Sequence, residues 1–312
     1  MSIPRFPSLL GLVLSICLAV SVAQAQTQAS CAFMRFPLTF IQPSGTSVSL
    51  TLAGINDFGT VVGTADLINN GSGSAVPFIR WSNGGITFPL GKRAFGSLAD
   101  RNDSGVSIGY DVSIQTSFIL MRDGTFIPIP PITAGGFTNN VPIAAKINKW
   151  DSVVGDYALL AGQTVGFKRW KNGSVVSLDN PWIPLQTHLA GINDSGVIVG
   201  TAGGNYGPQL SHGLIYHKGS WAQLDYPGGA FTRLTGISNS GLIIGNGNTS
   251  ASQFGPPTTP FLYENGAFKI ISPPNTLPGT ASVTGISLKL GMIVGSALNL
   301  NNKPIGFIAK CQ

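Results

Sequence analysis

Ionisable and metal-binding side chains are scarce in this chain. Of its 312 residues only 10% are charged, against about 25% in an average domain, and the one glutamate is Glu264. Three histidines and three cysteines are dispersed without the spacing of metal ligands. Paired carboxylates for glycoside hydrolysis are not evident, and neither is a Gly-x-Ser-x-Gly elbow. We therefore expect no metal and no cofactor, and a non-catalytic role ahead of a catalytic one.

A helical period of 3.6 is also missing over any useful length, whereas glycine (41) and proline (21) are abundant. This composition favours an all-β protein with many short strands and turns. The net charge of +6 comes from basic residues scattered singly along the chain. No nucleic-acid partner is therefore expected, although a weak attraction to acidic surfaces or acidic glycans stays open.

Residues 1–25 read as a signal peptide. Arg5 is followed by an apolar run at 9–23, and Ala23-Gln24-Ala25 is a small-x-small cleavage site. A membrane anchor is the alternative, but the run is short for a span. A lipoprotein is disfavoured because Cys17 follows Ile16, where a small residue is required. We expect secretion to the periplasm or beyond, no membrane span after cleavage, a segment at 26–34 that contains Cys31, and one domain at 35–312.

One phrase recurs along the whole chain, and its clearest copy is LAGINDSGVIVG at 189–200. Strand-forming residues flank the turn 193–196, so the phrase predicts a tight hairpin in which Gly196 takes a positive φ. The other copies are LAGINDFGTVVG (52–63), LADRNDSGVSIG (98–109), AAKINKWDSVVG (144–155), LTGISNSGLIIG (234–245) and VTGISLKLGMIVG (283–295). Their last glycines are spaced by 46, 46, 45, 45 and 50 residues. A period of this size indicates a repeat fold.

Each repeat has a second half that predicts another hairpin. Examples are GFKRWKNGSVVSLDNP (166–181) and PFLYENGAFKIISPP (260–274), whose turns carry Asn-Gly. Two hairpins per period give a four-stranded sheet of about 45 residues, which is the size of a β-propeller blade. The sequence therefore predicts an all-β, six-bladed propeller.

The two ends of the chain predict a closed ring. The sixth repeat stops after GFIAKCQ (306–312) without a fourth strand, and RFPLTFIQP (35–43) resembles a fourth strand without a partner. Joining them removes free sheet edges. Cys31 and Cys311 then flank the point where other blades have a turn, so we expect a disulfide between them. Two unpaired thiols are the alternative.

The phrases GINDSGVIVG and HGLIYHKG (212–219) resemble those of the extracellular HAF-repeat family of bacterial proteins. That family pairs a G-I-N-D-x-G-x-I-V-G phrase with an H-A-F-L-W phrase, and the likeness covers about residues 33–312. Only His212 keeps the family's histidine, and Gly213-Leu214 replaces Ala-Phe. The resemblance implies a secreted propeller-like repeat protein and no catalytic residues.

Topology predicts two unlike faces. Both kinds of hairpin turn lie on one face and are short, while the connections between hairpins and between blades lie on the other and are long. Binding residues usually lie on such loops over a rigid scaffold, so Trp182 and Tyr206 are binding candidates there. Four aromatic residues share one register before the second turn and are expected to pack between blades: Trp81, Trp170, Tyr216 and Tyr263. Asp57, Asp103 and Asp194 are interpreted as turn formers.

The remaining candidate binding residues lie where individual copies depart from the repeated phrase. Glycine occupies one position of the phrase in four copies, but Asp100 and Lys146 replace it in two, and Arg101 follows Asp100. His188 and Arg233 begin the same strand in the fourth and fifth copies. One interpretation is a compensating ion pair between Asp100 and Lys146. The other is a polar site at one mouth of the central channel.

These observations predict a secreted, monomeric and non-catalytic binding module that recognises a glycan or an extracellular protein through its long-loop face. Two alternatives stay open. One is an enzyme that acts on extracellular polysaccharide at the channel mouth. The other is a structural surface or matrix protein.

Overall fold

The computed structural model describes residues 27–42, 44–69, 72–91, 96–134, 137–159, 162–203, 211–248 and 259–311. The expected signal peptide and Tyr206 lie outside this part of the chain. Six antiparallel sheets of four or five strands follow one another as the blades of a propeller. The predicted all-β, six-bladed fold is therefore confirmed.

Twenty-eight strands build the described structure. Two precede the first blade, β1 (Thr27–Gln28) and β2 (Cys31–Pro37). Blade 1 contains β3 (Thr39–Ile41), β4 (Ser47–Ile55), β5 (Val61–Asn69), β6 (Ser72–Arg80) and β7 (Ile86–Thr87). Blade 2 contains β8 (Gly96–Arg101), β9 (Ser107–Asp111), β10 (Thr116–Leu120) and β11 (Phe126–Pro128). A separate hairpin follows, made of β12 (Ile132–Ala134) and β13 (Phe137–Asn140).

Blade 3 contains β14 (Pro142–Ile147), β15 (Val153–Ala158), β16 (Thr164–Arg169) and β17 (Val175–Leu178). Blade 4 contains β18 (Thr187–Ile192), β19 (Ile198–Ala202), β20 (His212–His217) and β21 (Ser220–Gln223). Blade 5 contains β22 (Phe231–Ile237), β23 (Ile243–Asn248), β24 (Thr259–Glu264) and β25 (Ala267–Ile270). Blade 6 contains β26 (Ser282–Ile286), β27 (Met292–Leu298) and β28 (Pro304–Cys311).

The ring is closed by both ends of the chain, as the sequence predicted. Strand β2 pairs antiparallel with β28 and becomes the fourth strand of blade 6. Cys31 lies directly opposite Cys311, and the two form a disulfide with an S–S distance of 2.01 Å. The fourth strand begins at Cys31 and ends at Pro37, earlier than the 35–43 expected from the sequence, because β3 instead pairs with β4 of blade 1. Strand β1 adds a parallel edge to blade 5.

A bulge interrupts the first strand of every blade at the same place. In blade 4 the register shifts between Leu189 and Gly191, so that Ala190 is the extra residue, and the other five blades repeat this shift. A bulge re-aims the side chains that follow it. Here the residues after the bulge reach the axis, where a Cβ on Gly191 would lie 3.0 Å from the Cα of Gly236. Glycine at this position in four of the blades lets the inner strands approach one another, while Asp100 and Lys146 take its place in blades 2 and 3.

The hydrophobic core lies within and between blades. The third strands contribute side chains with no solvent exposure at one shared position: Phe78, Phe118, Phe167, Leu214, Phe261 and Phe307. In blade 5 the ring of Phe261 covers the last glycine of the phrase, so that a Cβ on Gly245 would lie 2.6 Å from it. The final glycine of the repeat and the aromatic of the second half are therefore one packing unit.

Two faces follow from this topology. The turn face carries the first-hairpin turns near 56–60, 102–106, 148–152, 193–197, 238–242 and 287–292, together with the second-hairpin turns. The loop face carries the connections between hairpins and between blades. Gly196 has φ 81°, as predicted, and Asp151 takes the same left-handed conformation in blade 3. Among the described residues, no helix is long and apolar enough to cross a bilayer.

Candidate functional site

Asparagine side chains organise the turn face around the axis. Asn56 Oδ1 accepts hydrogen bonds from the backbone N–H groups of Phe58 and Thr60, which closes its own turn. Its Nδ2 donates to the carbonyl of Asn102 in the next blade. The same link runs from Asn102 to Asn148, from Asn148 to Asn193 and from Asn193 to Ser238. Each asparagine thus fixes both its own turn and its neighbour.

The aspartates of the turns bond to neighbouring blades. Asp103 accepts a hydrogen bond from the backbone N–H of Asp57, at 2.9 Å, and Asp194 accepts one from Lys149. Asp57 in turn accepts from Lys289 and Leu290 of blade 6. These aspartates do lie in the turns, but their carboxylates bond to neighbouring blades, because the preceding asparagine already accepts the hydrogen bonds that close each turn.

Two of these carboxylates influence each other. Burial raises the pKa of Asp103, and the adjacent Asp57 carboxylate raises it further. Burial by itself would raise the pKa of Asp57 as well, but hydrogen bonds from the backbone of Leu290 and Lys289 and from side chains outweigh it and lower that pKa. Asp103 is therefore the first of the pair to take up a proton as the pH falls.

The axis is filled by one ion pair. Lys146 Nζ lies 2.9 Å from Asp100 Oδ1, and both side chains are at most 4% exposed. The backbone N–H of Ile147 donates to the other carboxylate oxygen. A Cβ on Gly54 of blade 1 would clash with the Asp100 carboxylate. The compensating ion pair considered from the sequence thus forms, in the space that glycines leave on the other blades.

A cavity of about 260 Å³ opens above this pair on the turn face. Asp100 and Lys146 lie at its floor, with Ile55, Ile147 and Ile286 in its wall. Its polar lining includes Arg101, Asn102, Asp103, Lys149, Asp194 and Lys289, and Trp150 stands beside them. Three of the sequence candidates, Asp100, Arg101 and Lys146, are therefore brought together at one mouth of the channel.

Trp150 is an exposed but fixed aromatic at this cavity. Its side chain is 59% exposed, while its Nε1 donates to the carbonyl of Asp194 at 3.1 Å. Lys149 Nζ lies 4.6 Å from the indole centroid and 3.4 Å from Asp194 Oδ2. These contacts hold one face of the indole and leave area for a ligand.

Two more tryptophans are exposed on the turn face. Trp81 is 37% and Trp170 is 38% exposed, with Arg101 and Lys168 over their rings at 5.6 Å and 5.1 Å. The prediction that the four aromatics of this register pack between blades holds for Tyr216 and Tyr263, which lie in hydrophobic clusters that join blade 3 to blade 4 and blade 4 to blade 5. It is wrong for the tryptophans, since the charged neighbours leave their rings in solvent.

The loop face presents one described aromatic candidate, Trp182. It is 50% exposed on a segment fixed by Asn180, whose Oδ1 accepts from the backbone N–H groups of Trp182 and Ile183. Asp179 accepts further hydrogen bonds from Leu185 and Thr187. Trp182 therefore stands on a rigid loop, and the sequence placed it on the correct face.

His188 belongs to a polar chain on the loop side of blades 3 and 4. Its Nδ1 lies 2.6 Å from Asp156 Oδ2, and its Nε2 lies 3.1 Å from Thr164 Oγ1. All three side chains are partly buried. Arg233 occupies the matching position in blade 5 and is also partly exposed. His188 and Arg233 lie toward the loop end of the inner strands, away from the Asp100–Lys146 pair.

Several of these site residues had no sequence signal. Trp150 occupies a turn position that holds serine in three other copies and Phe58 in the first, and Asp156 and Thr164 lie just outside the repeated phrases. Only the tertiary fold brings each beside its partner. Among the described residues, no group of three histidine, cysteine or acidic side chains could hold a metal ion.

Solved structures with a similar fold exist. A candidate gluconolactonase covers 92% of this chain and 95% of its own at 10% identity, with a TM-score of 0.51. A gluconolactonase from Xanthomonas campestris covers 94% and 99% at 10% identity, with a TM-score of 0.50. Puromycin hydrolase matches 82% of this chain and 46% of its own at 12% identity, with a TM-score of 0.50. At such identities the likeness establishes the propeller fold alone.

No family model matches this chain. No curated protein matches it either.

Proposed function

We propose that this protein is a non-catalytic recognition module that binds a sugar residue of an extracellular glycan in the axial cavity of the turn face. The observation that carries the proposal is the fixed, exposed indole of Trp150 at the edge of a cavity of about 260 Å³. Sites for small ligands combine apolar walls with a few oriented polar groups. The cavity has both.

The lining suits sugar hydroxyl groups. Asp103 and Ser104 present carboxylate and hydroxyl groups, and Arg101 and Lys149 add donors. Asp103 is held by a hydrogen bond from Asp57, and Lys149 is held by its contacts with Asp194, so these two lose little side-chain freedom when a ligand binds. The Trp150 side chain is already held by its hydrogen bond to Asp194, so it too loses little conformational entropy when a ligand binds.

The same contacts favour binding over catalysis. Asp100 and Lys146 neutralise each other in a buried pair, while Asp103 and Asp194 accept backbone hydrogen bonds from neighbouring blades. A general acid or base must reach the proton that it transfers. Because these carboxylates and this lysine already have partners within the protein, they are better suited to orient a bound ligand than to transfer a proton.

The test uses the secreted chain with its disulfide intact, titrated calorimetrically against neutral and acidic oligosaccharides. Trp150→Ala should weaken binding at least tenfold, because packing of the sugar ring against the indole is lost. Trp182→Ala is the matched control, since it removes a similarly exposed indole from the opposite face. Loss of binding only with Trp182→Ala would move the site to the long-loop face expected from the sequence. No binding by the unaltered chain would refute glycan recognition.

A second candidate is hydrolysis at the loop face, favoured by the chain of Thr164, His188 and Asp156. A hydroxyl bonded to a histidine that a carboxylate orients is the arrangement of an activated nucleophile. Release of reducing ends or of ester acids should then be abolished by Thr164→Val and retained by Thr164→Ser. Absence of any release, or release unaffected by Thr164→Val, would reject this candidate.

The cellular setting follows from sequence features and is likewise a proposal. A signal peptide at 1–25 directs the chain to the periplasm or beyond, and the resemblance to HAF-repeat proteins agrees with this. The Cys31–Cys311 disulfide suits an oxidising compartment. We propose a monomer, because the ring closes within one chain through the pairing of β2 with β28.

A further inference from the structure

Charge is divided between the two faces. Basic residues that are scattered along the sequence lie at the turn ends of strands in blades 1–3: Arg80, Arg101, Arg122, Lys149, Lys168 and Lys171. Five carboxylates lie at the loop ends, namely Asp66, Asp111, Asp156, Asp179 and Asp225. On the turn face of blades 1–3 the six cations outnumber the four turn carboxylates Asp57, Asp103, Asp123 and Asp151. The antiparallel topology therefore converts a small, dispersed net charge into a positive turn face beside the axial cavity.

Several of these cations lack a carboxylate partner. Within the described part of the chain, ion pairs are formed by Lys149 with Asp194 and by Lys171 with Asp151, but none by Arg101, Arg122 or Lys168. Burial lowers the pKa of Arg101, and nearby Arg122 lowers it further. Two neighbouring guanidinium groups that form no ion pair of their own favour an incoming anion.

Each exposed tryptophan of this face has a cation over its ring. The pairs are Arg101 with Trp81, Lys149 with Trp150, and Lys168 with Trp170. The pairs lie in blades 1–3, so the aromatic and cationic groups alternate across one sector of the face. A ligand that stacks on an indole would bring its substituents close to a positive charge.

We propose that this sector binds an acidic polysaccharide whose sugars carry carboxylates, with sugar rings against Trp81, Trp150 and Trp170 and carboxylates beside Arg101, Lys149 and Lys168. This inference rests on the proposed function and names the class of glycan. One acidic sugar occupies the axial cavity, and the chain continues over blades 1 and 3. Electrostatic attraction speeds encounter and adds to the affinity at low salt.

A polyuronate fits this face better than a nucleic acid does. Double-stranded DNA carries about one charge per 1.7 Å and is bound by continuous positive surfaces. Here the carboxylates of Asp57, Asp103 and Asp123, each of which accepts a backbone N–H hydrogen bond, stand among the cations and interrupt the positive surface. The cavity also offers groups for several hydroxyls. A uronic acid chain carries separated carboxylates with hydroxyl groups between them, and this arrangement matches the separated cations and polar groups of the face.

The experiment compares polygalacturonate with the same polymer after methyl esterification, which keeps the backbone and removes the charge. The unaltered protein should bind the acid form at least tenfold more tightly, and raising the salt concentration from 50 to about 500 mM should reduce that difference, since exposed charges are screened. Lys168→Met should weaken binding of the acid form about threefold to tenfold and leave binding of the ester unchanged. Lys303→Met is the matched control, because this exposed lysine lies on the loop side of β28.

Each outcome separates the two proposals. Equal binding of acid and ester would overturn the charge inference and leave glycan recognition standing. No binding of either polymer would overturn the inference, and the proposed function then depends on the oligosaccharide titrations. Binding of duplex DNA that is sensitive to Lys168→Met, without binding of polygalacturonate, would overturn the inference in favour of a nucleic acid.

Discussion

Asp100 and Lys146 replace glycine at the narrowest point of the ring, and each is tolerated because the other is present. Their side chains meet at 2.9 Å where the remaining blades have no side chain at all. A buried charge that loses its partner is costly, whereas removing both charges is often neutral. If the pair is structural, replacing one of the two residues should destabilise the protein, and replacing both should restore most of the stability.

Lys146→Met should lower the free energy of unfolding by about 3–5 kcal/mol, because it leaves the Asp100 carboxylate buried and unpaired. Urea unfolding followed by tryptophan fluorescence measures this. The double variant Asp100→Gly with Lys146→Gly restores the glycine of the other blades and should recover most of the loss. A double variant that is no more stable than the single one would contradict the ion-pair explanation.

The turn of the first hairpin is the element that joins neighbouring blades. Asn102 Oδ1 accepts from the backbone N–H of Val106 within its turn, while its Nδ2 donates to the carbonyl of Asn148 and to Asp151. Blade 5 has Ser238 here, whose Oγ still accepts from Leu242 but offers no amide to the next blade. Comparing Asn102 with Ser238 therefore separates two roles of this position, which are closing its own turn and linking two blades.

Asn102→Ser should retain the turn and lose the link, at a cost of about 1–2 kcal/mol, since one or two buried hydrogen bonds disappear. Asn102→Ala should lose both and cost about 1 kcal/mol more. Chemical unfolding of the two variants gives the difference. Equal losses would indicate that the hydroxyl does not replace the amide oxygen in the turn.

The whole molecule depends on the join in blade 6, where the first described strands meet the last. The disulfide links residues separated by 280 positions, directly across the β2–β28 ladder. A covalent link over so long a loop limits the unfolded chain strongly in the entropic account. Ring closure is therefore supported by hydrogen bonds, by packing and by one covalent bond.

Replacing Cys31 and Cys311 by serine should lower the free energy of unfolding by about 2–5 kcal/mol. Thermal unfolding with and without a reducing agent measures the effect. Reductant should destabilise the unaltered protein and leave the double variant unchanged. If reductant has no effect on the unaltered protein, the disulfide does not stabilise the ring.

The repeat in the sequence determined the number of blades, the hairpins, the positive φ of Gly196 and the closure through Cys31 and Cys311, because strand period and turn chemistry are local properties. It also determined that Asp100 and Lys146 are exceptional. Only the tertiary structure decided that these two neutralise each other, that Trp150 stands over a cavity, and that scattered cations gather on one face. Those facts depend on which strand ends meet around the axis, and residues about 45 positions apart become neighbours only when the ring closes.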